Sequence, residues 1–190
     1  LRSDCVISIV NLAMATGNIG KSNAGVFPLF TGANHQGSKD VGCSPEKLPG
    51  YVDISSNKRE VFEDFWGTKL EPLAGKSIKQ IVQAIEEKEI TALHIIGDSP
   101  SFTNGELDGF LEALDNLDFL VVHESFANEL TERANVVLPS ITFAESEGTY
   151  TNLERRVQLL KPALGAVREE ESDWRMLSWI SNRMGVSGFD

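Results

Sequence analysis

The residues able to do chemistry lie beside short apolar runs. Gly97-Asp98-Ser99-Pro100 follows the run 93–96, with Thr103 just beyond. His123-Glu124-Ser125 follows the run 119–122, and Asn135 stands just ahead of a third run at 136–138. Hydroxyl, carboxylate and imidazole groups in such places can hydrogen-bond a ribose or a purine. In doubly wound sheets, ligands sit outside the carboxyl ends of the strands. Asp, Ser, Pro and Gly are equally ordinary turn residues, so position alone weighs the two readings evenly. The adjacent Arg155 and Arg156 could clamp phosphates or ring acceptors in bidentate fashion. Their plainer reading is a solvated ion pair with Glu154 or Glu147.

Other chemistries are excluded by spacing. Gly20-Lys21-Ser22 suggests a phosphate loop, but Ala15 holds the position where that motif needs glycine, and a helical pattern precedes it. His35, His94 and His123 are far apart, with no metal-binding spacing, and His94 reads as a satisfied core histidine inside an apolar strand. Cys5 and Cys43 are isolated, so no four-cysteine zinc or iron–sulphur site can be built here. Cys5 reads as a small core residue and Cys43 as a free loop thiol. No nucleophile elbow occurs. No metal site made of protein ligands is expected.

The elements that must carry these groups alternate. A helix is expected over 5–15, with Val6, Ile9, Val10 and Ala13 on its apolar face and Gly17-Asn18 as its stop. Residues 17–50 read as an irregular, glycine-rich, ligand-lining loop interleaved with Phe27, Leu29, Phe30 and Val41. A short helix suits 60–66. Ser77 with Gln80 forms a capping box for a helix facing inward through Ile78, Ile81, Val82 and Ile85. The run 93–96 reads as a strand buried on both faces. Helices over 109–117 and 129–133 separate it from strands at 119–122 and 136–138. This alternation predicts an α/β fold, a Rossmann-like parallel sheet with flanking helices. An irregular corner is expected from 142 to 162, a charged stretch at 168–173 and a final helix over 174–184.

Composition sets the outer bounds. The 190 residues, 41% hydrophobic and 24% charged, suffice for a substantial core. A net charge of -11 argues against a nonspecific nucleic-acid surface. No apolar run approaches the roughly 18 residues of a membrane span, and no signal peptide is apparent; a cytoplasmic location is the expectation. The chain begins at Leu1 rather than methionine, which suggests an excised or processed segment.

Five stretches carry a family resemblance. They are NLAMATGNIGKSNAGVFPLFTGANHQG, ALHIIGDSP, LDFLVVHESFANELTERANVVLP, FAESEGTYTNLERRVQ and SDWRMLSWISNRMG, in that order and over nearly the whole chain. Together they resemble the molybdopterin guanine dinucleotide oxidoreductases, above all the formate dehydrogenase alpha subunits and the related large iron–sulphur subunit of NADH–quinone oxidoreductases. The resemblance implies a segment of a larger multi-domain subunit. Residues 1–36 would end a neighbouring α/β domain and supply the glycine-rich cofactor loop. Residues 37–141 would bind the guanine dinucleotide, and 142–190 would begin the adjoining domain.

The resemblance implies molybdenum or tungsten held by the pterin, with Gly97, Asp98, Ser99, Thr103, His123, Glu124, Asn135, Arg155 and Arg156 at cofactor-binding positions. His123 and Glu124 replace the commoner Gln-Asp, and Asn135 replaces Asp. The 4Fe-4S cysteines and the metal-ligating cysteine or selenocysteine of the family lie outside this segment, so the chain alone is expected to be inert. Phe30 stands where formate dehydrogenases carry a substrate arginine, and Gly32 where they carry a glutamine. Losing that guanidinium removes anion stabilisation on the order of 2–5 kcal/mol, which puts formate itself in question as substrate. The implied partners are the rest of the same subunit and electron-transfer iron–sulphur or flavin subunits. Two readings remain: a formate-dehydrogenase-like redox enzyme, and a scaffold subunit of an NADH–quinone oxidoreductase that has lost the pterin.

Overall fold

The computed structural model describes residues 3–29, 32–97, 109–165, 172–186 and 188. Phe30, Asp98, Ser99 and Thr103 lie outside them. The chain opens with helix α1 (Ser3–Ala15), whose backbone ends as expected near Gly17. The stretch expected to be irregular contains helix α2 (His35–Asp40) and β1 (Lys47–Leu48), which pairs antiparallel with β2 (Val52–Asp53) just beyond it. Helix α3 (Glu60–Trp66) matches its expected bounds.

Helix α4 (Ile78–Glu86) starts at the anticipated capping box: Gln80 Oε1 accepts from the Ser77 N–H at 2.8 Å. Then come β3 (Ala92–Ile96), α5 (Phe110–Leu114), β4 (Phe119–Glu124), α6 (Glu129–Arg133) and β5 (Val136–Pro139). Asn128 caps α6, its Oδ1 accepting from the N–H groups of Leu130 and Thr131.

The three strands form one parallel sheet in the order β3-β4-β5. The protein is therefore α/β, with helices flanking a parallel sheet. Its core lies between that sheet and α4–α6, built from Ile85, Phe110, Ala113, Leu114, Leu120, Val122 and Leu130. Side chains alternate across a strand, so only one face of β3 looks into this core. Leu93 and Ile95 pack there, whereas Ala92, His94 and Ile96 are exposed.

The expectation of a strand buried on both faces therefore fails, and so does that of a core His94. Among the described residues, helices α4–α6 pack on one face of the sheet, and the outer face of β3 is left open. The same shortfall exposes Cys5, expected in a core: α1 buries no residue, and Val6, Ile7, Ile9, Leu12 and Met14 are all exposed.

The corner expected to be irregular is instead a hairpin of β6 (Gly148–Thr151) and β7 (Val157–Leu160). Asn152 organises its tip: Oδ1 accepts from the N–H groups of Glu154 and Arg156 at 3.0 and 2.9 Å. Arg155 then adopts a left-handed conformation, φ 61°. The hairpin is tied back to the glycine-rich segment by the Thr151 N–H, which donates to Asn34 Oδ1 at 2.9 Å. Gly37 makes room for this contact, since a Cβ there would stand 2.1 Å from Asn34 Oδ1. The final helix, α7, spans Asp173–Arg183, starting one residue ahead of its expected bound.

One buried carboxylate sits outside the sheet core. Glu63 of α3 pairs with Lys69 at 2.9 Å and Arg59 at 3.3 Å, and accepts from the Leu70 N–H at 3.1 Å. The Lys69 hydrogen bond, then that of Leu70, holds its carboxyl below the usual range.

Candidate functional site

Parallel strands deliver side chains and backbone ends to one edge, and here that edge gathers His123 and Glu124 at the end of β4. Both residues are buried. Pairing puts His123 beside Ile96, so Gly97, which closes β3, lies at the same edge. The run of expected site residues from Asp98 to Thr103 continues from there, outside the described residues.

His123 is held from two sides. Its Nδ1 lies 3.1 Å from Asp173 Oδ1 at the start of α7, and Ser140, just after β5, donates its hydroxyl to the same oxygen at 2.5 Å. The His94 ring lies 4.7 Å from the His123 ring, centroid to centroid, tilted by 45°. Desolvation, then the charge of His123, pushes the His94 imidazole below its ordinary 6.5. With a carboxylate at Nδ1, the neutral His123 ring carries its proton there and presents Nε2 as an acceptor. Three buried polar atoms in this neighbourhood have no hydrogen-bond partner among the described residues: His123 Nε2, Glu124 Oε1 and Ser172 Oγ. Buried polar groups are nearly always paired, so atoms left over at a strand end are the signature of a ligand or ordered water.

A cavity of about 730 Å³ adjoins the cluster. Its walls are Ile141, the segment 145–149, Leu159 and Pro162 from the hairpin side, and residues 172–175 at the start of α7. The volume falls in the range of small-molecule and cofactor sites, roughly 300–1,000 Å³. Glu145, Glu147 and Asp173 make the lining acidic, with Arg175 as a countercharge. The Thr142 hydroxyl and N–H, at 2.7 and 3.0 Å from Glu145 Oε2, hold that carboxyl below its usual range. Such a lining suits a ligand rich in N–H donors, such as a purine edge, better than a bare phosphate chain. Among the described residues, no group of three or more His, Cys, Asp or Glu could hold a metal ion.

Not every expected site residue reaches this edge. Asn135 sits at the opposite end of the sheet, where its Oδ1 accepts from the Leu120 N–H at 2.6 Å and its own N–H donates to Leu120 O at 2.9 Å. Arg155 and Arg156 lie on the hairpin tip. Arg155 pairs neither with Glu154 nor with Glu147: it stands 3.9 Å from Asp40 Oδ1 and 5.8 Å over the Tyr51 ring. Gln36 Nε2 donates to both Asp40 and Tyr51 at 2.7 Å, so this second polar cluster joins α2 to the hairpin.

Sequence reading gave no role to Asp173, Ser172 or Ser140. The available signal was Ser172-Asp173 opening an amphipathic helix, a pattern that reads as a helix start whatever else it does.

The model of the molybdopterin oxidoreductase family matches residues 3–183. The F420-dependent formate dehydrogenase subunit alpha of Methanocaldococcus jannaschii is 39% identical over 182 residues, which is 96% of this chain and 27% of that protein. A protein from a bovine strain of Staphylococcus aureus, provisionally named a formate dehydrogenase, is 36% identical over 184 residues, 96% of this chain and 19% of its own. The chain thus spans between 19% and 27% of the length of these curated relatives. The matched span takes in the parallel sheet, the polar strand end and the hairpin alike, and the chain belongs to the molybdopterin oxidoreductase family.

Proposed function

We propose that this chain is part of the large subunit of a formate-dehydrogenase-like oxidoreductase, and that it holds the nucleotide end of a bis(molybdopterin guanine dinucleotide) cofactor. When bound, such a cofactor supplies a molybdenum or tungsten centre for two-electron chemistry. The observation that carries the reading is the end of β4, where His123 and Glu124 are both buried and each keeps a polar atom without a partner among the described residues. A guanine edge offers an N–H donor to His123 Nε2 and an acceptor to the Ser172 hydroxyl, while Glu124, the next residue of β4, reaches the strand end from the opposite face. Gly97 brings the chain to the same edge without a side chain, and Asp98, Ser99 and Thr103 follow it in sequence. Arg155 and Arg156 serve the pterin side from the hairpin tip. Asn135 serves through the strand end that it braces rather than by direct contact.

The wider assignment follows the family. Residues 1–36, 37–141 and 142–190 act as loop, nucleotide-binding segment and start of the adjoining domain. Electrons leave through a 4Fe-4S cluster and iron–sulphur or flavin partner subunits. The exposed apolar face of α1 meets the rest of the same subunit. Among the described residues no helix is long and apolar enough to cross a membrane. Both cysteines are free thiols, in keeping with the reducing cytoplasm.

One observation favours a second reading, a scaffold in an NADH–quinone oxidoreductase without the pterin. His123 Nδ1, an atom that would otherwise meet a nucleotide, is already spent on Asp173. Elemental analysis with chromatography of released nucleotides, on the complete native polypeptide, separates the two. One molybdenum or tungsten with two guanine nucleotides per chain supports the enzyme. Iron with neither metal and no guanine nucleotide overturns it in favour of the scaffold.

A further inference from the structure

At the sheet end one histidine ring meets a carboxylate and a second ring stands against the first, an arrangement whose charge balance changes with protonation. His94 projects from β3, where its residue is exposed, and reaches the buried ring of His123 on β4 at 4.7 Å. Asp173, the first residue of α7, accepts from both the His123 ring and the Ser140 hydroxyl. Three separate pieces of chain therefore converge on one oxygen: the end of β4, the residue after β5, and the start of the final helix. We infer that His94, His123, Asp173 and Ser140 form a proton-sensitive clasp, which fastens α7 to the sheet and opens when both imidazoles are charged.

The charge balance gives the direction. With both rings neutral, the His123 N–H donates to the Asp173 carboxylate and the cluster carries one negative charge. One proton makes a neutral ion pair, which is still attractive. A second proton places two cations at ring-contact distance against a single carboxylate, and the surplus charge belongs to a cluster whose central ring is buried. The other ionisable groups near it are Glu145, Glu147 and Arg175, which line the cavity with Asp173, Arg175 in the first turn of α7, and Glu124, the residue after His123, on the opposite face of β4. Glu145 is spent on Thr142, and Arg175 adds positive charge on the helix side.

The downward displacement of the His94 titration has the same sense. A base depressed on folding contributes stability that is complete above its ordinary 6.5 and is lost as pH falls through the folded value. Opening would move Ser172 and Asp173, so the clasp also sets one wall of the cavity. This holds whether or not the cavity takes a guanine nucleotide.

Amide hydrogen exchange on the complete polypeptide containing this chain, corrected for intrinsic rates, tests it. From pH 7.5 to 5.5, protection of the α7 amides should fall on the order of tenfold, while that of the α4 amides stays level. His94→Gln removes the second charge and should flatten the α7 profile. His123→Gln keeps a donor towards Asp173 without a titrating ring and should flatten it too. Asp173→Asn should lower α7 protection at every pH. Level α7 protection in the unmodified chain overturns the clasp, as does an unchanged slope in both histidine variants. Parallel loss in α4 also overturns it, since that is global unfolding rather than local release.

Discussion

Helix α4 gathers its apolar residues on one face, α1 carries them nearly all round, and the two meet opposite fates. In α4, Ala84 and Ile85 are buried, Ile85 within the sheet core and Ile81 and Val82 at its margin. In α1, which is longer, no residue is buried. The two faces of the sheet repeat the contrast, one sealed by α4–α6 and the other presenting Ala92, His94 and Ile96. Apolar periodicity declares that a face requires cover; it does not say which stretch of polypeptide supplies it. Here the cover for one face lies within the chain. The other face belongs to a sequence that makes up only 19–27% of its relatives' length.

The largest effect expected from that contrast is at Leu120, which is 1% exposed. Leu120→Ala should lower unfolding free energy by about 2–5 kcal/mol in urea denaturation, through lost transfer energy and the cavity left behind. A loss below 1 kcal/mol would mean the closed face is not the core of this unit. Gly37→Ala tests the tie between the glycine-rich segment and the hairpin, which belongs to neither face. The new Cβ displaces the Asn34 amide and strips the buried Thr151 N–H of its acceptor. The expected loss is about 1–3 kcal/mol by thermal or urea melts.

A polar analogue of the closed face gives a smaller effect, visible only in acid. Glu63 has its titration depressed on folding, so its stabilisation is complete above the ordinary 4.5 and is lost as pH falls through the folded value. Stability measured from pH 6 to pH 3 should therefore fall less steeply in Glu63→Gln than in the unmodified chain. Equal slopes would show that the Lys69 and Leu70 contacts do not persist in solution. Least of all should Leu12→Ala matter, within about 0.5 kcal/mol, because the residue is 64% exposed. A destabilisation of core size there would erase the comparison and show that α1 is covered within this chain after all.

Local signals proved legible wherever they were self-contained. The Ser77–Gln80 box, the bounds of α3 and α6, and the parallel character of the sheet all follow from capping chemistry and short apolar runs. His94 was misread because an apolar run of four cannot report which of its faces is covered. The hairpin was missed because its turn is made by a side chain: Asn152 replaces the glycine pair that usually marks a tight connection. The candidate site was half visible. His123 and Glu124 follow an apolar run and could be picked out, whereas Asp173 and Ser140 join them only through packing, 50 residues away in the case of Asp173. Asn135 drew attention by adjacency to a strand, yet it lies at the start of that strand, and ligand edges form where strands finish.

The bond between Asn34 and Thr151 spans 117 positions of sequence. A ribosome adding about 5–20 residues per second needs roughly 6–23 s to supply the second partner after the first. The parallel sheet, whose strands all lie between those two residues, can assemble within that interval. Residues 17–37 cannot take their final seat until the hairpin has been synthesised. The rate of translation thus sets how long the glycine-rich segment waits for its anchor.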